Sequence, residues 1–218
     1  MIAHELISEI IEPLTPDMDG EKALQMMQKY GVHHLPVVGD EEYFGLLSEE
    51  EILKNNIETQ LEAYLGVLYG IYANRNEHLF DVMKKITESD LTAIAVLDNQ
   101  KKYLGTIVRS ELFEYYHKSF AWSEPGSILV LELSDAQYSL SEISHIIEAE
   151  QAMILSSIIS RPTETTILLT IKVNKLDVSR IVAALRRYDY EVSASFSEDE
   201  VGDNFKERYD AFMRYLDV

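Results

Sequence analysis

The chain has 218 residues, enough for one large domain or two small ones, and 46% of them are hydrophobic, enough to bury a core. Thirty-eight acidic residues against 19 basic ones give a net charge of −19. That argues against direct binding to nucleic acid or to an anionic membrane surface, since both need clustered Lys and Arg. With no cysteine, disulfides, thiol nucleophiles and cysteine-held metals are excluded, and a reducing compartment fits.

The N-terminal stretch MIAHELISEIIEPL carries acids where a signal peptide would carry positive charge. No apolar run approaches the roughly 20 residues that span a bilayer. A soluble, cytoplasmic protein is the expectation. Between Ile2 and Ile11 the spacing of Leu6, Ile7, Ile10 and Ile11 predicts a short amphipathic helix, and Pro13 and Pro16 then make PLTP an extended segment. From Asp19 to Tyr30, Ala23, Leu24, Met27 and Tyr30 share one helical face, with Gly31 as the C-terminal cap. The stretch HLPVVGDEEYFGLLSEEEIL, from His34 to Leu53, reads as strand (Leu35 to Val38), polar turn (Gly39 to Glu42), strand (Tyr43 to Leu47) and helix. Ser48 opens that helix, and Glu51 three residues on completes a capping box.

The same unit then recurs as IAVLDNQKKYLGTIVRSELF, from Ile94 to Phe113. Gly45 falls on Gly105 and Glu51 on Glu111 at an offset of 60, whereas Leu35 falls on Ile94 and Leu24 on Met83 at an offset of 59. One β-α-β-β-α unit has been duplicated, and two copies can pack about a pseudo-twofold axis. Between them lies TQLEAYLGVLYGIYAN, read as a linker helix and the first strand of the second copy. Leu79, Val82, Met83 and Ile86 give the matching helix from Arg75 to Ser89.

At WSEPGS, Trp122 to Ser127, a Pro-Gly pair marks a domain boundary. Beyond it come a strand (Ile128 to Leu133), a helix capped by Ser139 and Glu142, strands Met153 to Ile159 and Ile167 to Val173, a helix from Asp177 to Tyr188, and a strand from Glu191 to Phe196. That order is the ferredoxin-like β-α-β-β-α-β unit. From residue 198 on, Phe205, Tyr209, Phe212, Met213 and Leu216 recur at the spacing of an amphipathic helix.

The duplicated unit, with its LPVV strand and the run Gly45-Leu46-Leu47-Ser48-Glu49-Glu50-Glu51, resembles a tandem pair of CBS (cystathionine-β-synthase) domains. The segment from Ser127 to Phe196, carried by VLELSD, the Ile-rich helix and YEVSASF, resembles an ACT domain. A CBS pair followed by an ACT domain is the arrangement of the acetoin-utilisation B-type proteins. The expected organisation is therefore an α/β CBS pair over residues 1–120 (repeats 1–58 and 59–120), an α+β ACT-like domain over 126–197, and a helix over 198–218.

The resemblance implies a regulatory homodimer without catalysis. An adenosine-containing ligand (AMP, ADP, ATP or S-adenosylmethionine) would sit in the clefts between repeats and act on a protein partner. Pro36, Val37, Gly45, Ser48, Glu51, Gly105, Arg109 and Glu111 would line those clefts, with a hydroxyl meeting phosphate and an acid holding the ribose. Ser48 and Glu51 fit both roles in the first copy. The second has Val108 at the hydroxyl position, with Arg109 beside it as the phosphate donor. The other reading is that Ser48 and Glu51 only cap a helix, and that the pair is an assembly module with no nucleotide. The loop SDAQYSLSE has Asp135 but no glycine, which favours an ACT-like dimerisation sheet over an amino-acid site. His33 and His34 are adjacent on a strand and should face opposite ways. No metal site, Ser-His-Asp spacing or P-loop appears.

Overall fold

The computed structural model describes residues 1–119, 121 and 123–197, and the chain divides into two compact units at Tyr116. In the first, Asp19 caps helix α1 (Gly20–Tyr30) by accepting the Lys22 amide at 2.8 Å, and Gly31 ends it in the left-handed conformation at φ 65°. Strands β1 (His34–Gly39) and β2 (Glu42–Ser48) form an antiparallel pair, and α2 (Glu49–Leu53) follows. Leu14 adds a third line: its amide donates to Pro36 O and its carbonyl accepts from Val38, both at 2.8 Å, parallel to β1. The second copy repeats this as β3 (Tyr72–Asn74), α3 (Leu79–Glu88), β4 (Ala93–Leu97), β5 (Tyr103–Val108) and α4 (Arg109–Ser119). Here β3 lies parallel and β5 antiparallel to β4. The mixed α/β fold of two β-α-β-β-α copies is as expected. Central strands β1 and β4 pack against each other and are covered on both faces, which is why they read as unbroken apolar runs.

The copies exchange their leading segments. Leu61 to Tyr69 lies on the first copy, where Leu46 and Tyr69 exchange backbone bonds of 2.9 and 3.0 Å. The N-terminal segment lies on the second, with Ala3, His4 and Ser8 amides donating to Glu77, Arg75 and Thr106 carbonyls. The expected helix over Ile2 to Ile11 is therefore reduced to one 3-10 turn, Ala3–Leu6. Its amides have partners in the second copy, and those outcompete helical bonds that a short isolated helix holds only weakly.

Gly45 and Gly105 sit where these segments cross. A Cβ at Gly45 would lie 2.5 Å from Leu68 Cβ, and one at Gly105 would run into Ile7. The two cores interlock accordingly. Leu46 of the first copy is buried with Ile94 and Ile107, while Ala93 and Val108 of the second are buried with Leu35 and Leu47.

The second unit is the β-α-β-β-α-β arrangement: β6 (Ser127–Leu133), α5 (Leu140–Ala149), β7 (Ile154–Ser160), β8 (Ile167–Val173), α6 (Ser179–Arg187) and β9 (Glu191–Phe196). Its sheet runs β7-β8-β6-β9, with every neighbouring pair antiparallel. Leu129, Leu131, Leu169 and Ile171 meet Ile143, Ile147, Ile181 and Leu185 in one core, so both helices cover one face. Ser139 caps α5 by accepting the Glu142 amide. The Glu142 carboxylate does not close the box but accepts the Tyr190 hydroxyl at 2.6 Å, and burial with that acid pushes Tyr190 up to about 12. Among the described residues no helix is long and apolar enough to cross a membrane. The helix expected over 198–218 lies outside the described residues.

Candidate functional site

The polar end of the first unit is built from equivalent positions of the two copies. At an offset of 59 or 60, Gly31, His33, Ser48 and Glu49 correspond to Asp90, Thr92, Val108 and Arg109. The Glu49 amide donates to His33 O at 2.8 Å, and the Arg109 amide donates to Thr92 O at 2.9 Å. The same bond thus closes each copy, and the axis relating them passes between the two. Around it a cavity of about 310 Å³ is lined by His33, His34, Ser48, Glu49, Glu50, Tyr69, Asp90, Thr92 and Arg109.

Its polar groups are tied to one another. Thr92 Oγ1 accepts the His33 amide at 2.8 Å and lies 3.2 Å from His34 Nδ1. His33 Nδ1 is paired with the Glu49 carboxylate, and Arg109 Nη1 reaches Asp90 Oδ1 at 3.0 Å. Burial, then the positive ends of His33 and Arg109, hold His34 below the ordinary histidine range, with Asp90 opposing them. The edge of the His34 ring meets Tyr69, centroids 6.4 Å apart.

The expected cleft residues do not all meet in one place. Ser48 and Arg109 line the cavity together. Ser48 Oγ accepts the Glu51 amide at 3.2 Å, which leaves its O–H able to donate. Glu51 lies one turn into α2 with its carboxylate 3.6 Å from Lys54 Nζ, so the capping box is half made. Glu111 is on the other side of the pair, where Ser8 Oγ donates to it at 2.8 Å. Gly45 and Gly105 accommodate the crossing segments, and Pro36 and Val37 lie within buried β1.

Sequence reasoning missed Tyr69, Thr92, Asp90 and Ser8. Tyr69 was expected in the linker or core, yet its ring opens on the cavity. Asp90 and Thr92 could have been found by carrying Gly31 and His33 forward by the repeat offset. His33 and His34 do not face apart as strand neighbours would, because His33 precedes β1, and both line the cavity. Among the described residues no group of three or more His, Asp or Glu is placed to hold a metal.

Comparison with known proteins bears on the same half of the chain. The CBS domain family model matches residues 3–58 and 71–118. Among solved structures, the chain is similar to a CBS domain pair/ACT domain protein from Thermotoga maritima (12% identity, 56% of this chain and all of that one, TM-score 0.48). It is also similar to the CBS domains of a transcriptional regulator from Streptococcus pneumoniae (13% identity, 52% and 98% covered, TM-score 0.46). A third similar structure is a CBS domain pair in complex with 5-methylthioadenosine and S-adenosyl-L-methionine (17% identity, 54% and 97% covered, TM-score 0.44). The two segments the family model matches fall on the two copies that share the cavity: the N-terminal half of this chain is a tandem pair of CBS domains.

Proposed function

We propose that the CBS pair is a non-catalytic sensor whose cavity takes an adenosine-containing ligand. The observation that carries this reading is the convergence of a free-donating hydroxyl (Ser48), a guanidinium (Arg109) and an exposed aromatic ring (Tyr69) on one cavity shared by both repeats. A phosphate or carboxylate would meet Ser48 and Arg109, and an adenine would stack on Tyr69. The glutamates Glu49 and Glu50 favour a ligand with few negative charges, such as AMP or S-adenosylmethionine, over ATP. Binding would change how the two repeats pack, since Ser48 of one and Arg109 of the other both touch the ligand.

The β7-β8-β6-β9 order supports reading the second unit as ACT-like, and the whole chain as arranged like the acetoin-utilisation B-type proteins. In its first loop Asp135 is engaged by Arg161 Nη1 at 2.8 Å, which supports a coupling and dimerising role over an amino-acid site. The chain would act as a homodimer in the cytoplasm on a protein partner. Exposed Phe80 on α3, Phe113 on α4 and Leu53 on α2 are apolar helix surfaces suited to such pairing. Light scattering should then give twice the 25.0 kDa chain mass.

The ligand test is thermal unfolding of the full chain against AMP, ADP, ATP, S-adenosylmethionine, NAD and amino acids. A ligand at 100 times its dissociation constant adds about 2.7 kcal/mol, and each kcal/mol raises the midpoint by roughly 2–4 °C at this length. No shift with any adenosine compound at millimolar concentration overturns the reading and leaves the pair as an assembly module.

A further inference from the structure

We propose, resting on the homodimer read above, that its two chains dock head to tail, the groove between α1 and α2 of one receiving α3 and α4 of the other. The two repeats carry this groove at equivalent places. In the first copy it holds about 550 Å³ and is lined by Leu24, Met27 and Leu53 among others. At the repeat offsets of 59 and 60 these fall on Met83, Ile86 and Phe113, which line the groove between α3 and α4. That second groove holds only about 80 Å³. Aromatic rings account for the difference, since Phe113 and Tyr116 stand where the first copy has Leu53 and Asn56. Phe113 projects from α4, 68% exposed. One repeat therefore offers an apolar-floored recess and the other an aromatic knob, a pair of surfaces that suits association.

Charge selects the same occupant. Glu21 and Glu49 line the recess, whereas Arg109, the equivalent of Glu49, lines the second groove. Glu49 and Arg109 are paired within their own chain, to His33 and Asp90, yet stay 39% and 43% exposed. Exposed pairs of that kind hold weakly and can re-form across an interface at little cost. The ligand cavity on the pseudo-twofold shares Glu49 with one groove and Arg109 with the other, so the grooves flank it. Two chains that face each other through these grooves can be related by a twofold axis in two ways. Head to head sets Glu49 toward Glu49 and Arg109 toward Arg109, and leaves both recesses empty. Head to tail seats each Phe113 in the recess of the other chain and brings each Arg109 toward Glu21 and Glu49. Like charges set against each other penalise the first arrangement, and opposite charges favour the second.

The absence of cysteine makes the test clean. Gln25 on α1 and Lys84 on α3 are exposed and equivalent at an offset of 59, one beside each groove. Full chains carrying Gln25→Cys, Lys84→Cys or both are treated with a short bis-maleimide at micromolar concentration, and covalent dimer is read on a denaturing gel. Head-to-tail docking predicts at least about tenfold more covalent dimer from the double variant than from either single one, because only unlike cysteines are held together. Efficient linking of either single variant overturns the orientation while leaving the homodimer. A dimer by light scattering in which no variant links also overturns the proposal, and places the contact on another surface. A particle of 25.0 kDa removes the homodimer reading and the orientation together.

Discussion

The two CBS repeats share a backbone path but have diverged in charge. Glu41, Glu42 and Glu49 of the first copy stand where the second has Lys101, Lys102 and Arg109, and Glu41 and Lys101 even share a left-handed backbone at φ 67° and 68°. The opposite charges meet where the hairpins touch. Lys102 Nζ lies 2.6 Å from Glu41 Oε2, and the Tyr103 amide donates to Glu41 O at 2.9 Å. Each exposed pair is worth little in stability. Their arrangement instead disfavours pairing of two first copies, in which glutamates would face glutamates. The same divergence makes the ligand end lopsided, with a hydroxyl in one copy and a cation in the other.

The largest test of this comparison lies at the two glycines. Gly45→Ala would place a methyl 2.5 Å from Leu68 Cβ and 3.2 Å from Tyr69 O, on a segment held by paired backbone bonds to Leu46. Gly105→Ala meets the side chain of Ile7, which can turn aside. We expect the first to cost about 3 kcal/mol and the second about 1–2 kcal/mol in the unfolding transition of this unit. Equal losses in urea would mean that the two crossings are equally rigid.

Next comes the ligand. Ser48→Ala and Arg109→Ala should each weaken nucleotide binding about tenfold or more, because hydrogen bonds to charged groups contribute roughly 1.5–3 kcal/mol. Glu111→Ala should change affinity far less, since Ser8 already occupies that carboxylate. Calorimetry that ranks Glu111→Ala above Ser48→Ala would move the site to the Glu111 side of the pair. Ser48→Ala also removes a helix cap, visible as about 1 kcal/mol lost without ligand.

A smaller effect isolates the second copy. Ser8→Ala deletes the hydroxyl that Glu111 accepts and leaves a half-buried carboxylate without it. The unit should lose about 1 kcal/mol, with ligand affinity unchanged. A change in affinity of the wild-type site would show that the two clefts communicate.

Much of this was legible in the sequence, and the misses share one cause. The strands Ile167 to Val173 and Glu191 to Phe196 were placed at their observed ends, because period and turn residues are local signals. The duplicated unit was visible as an offset. The N-terminal segment was misread because its amides bond to Arg75, Glu77 and Thr106, and no local pattern announces a partner some 70–100 positions away. Ser8 and Tyr69 were missed for the same reason: each gains its place only when one copy's leader crosses onto the other.

The finest discrimination comes from His34. Its folded-state pKa is lowered, chiefly by burial, so between that value and the unfolded value near 6.5 the unfolded chain binds more protons. Stability from this residue is therefore complete above about pH 6.5 and is lost as pH falls through the folded value. His34→Gln should flatten the fall in melting temperature between neutral pH and pH 5, and comparison with wild type cancels the other histidines, which both chains share. The ligand then reports through the same imidazole. A phosphate held by Ser48 and Arg109 would stabilise the charged ring beside it, so AMP affinity should rise toward acid pH in the wild type and level off in His34→Gln. A sulfonium ligand such as S-adenosylmethionine would disfavour that charge and reverse the trend. An AMP isotherm that is indifferent to pH between 5 and 7.5 would place its phosphate away from His34, at the Glu111 side of the pair.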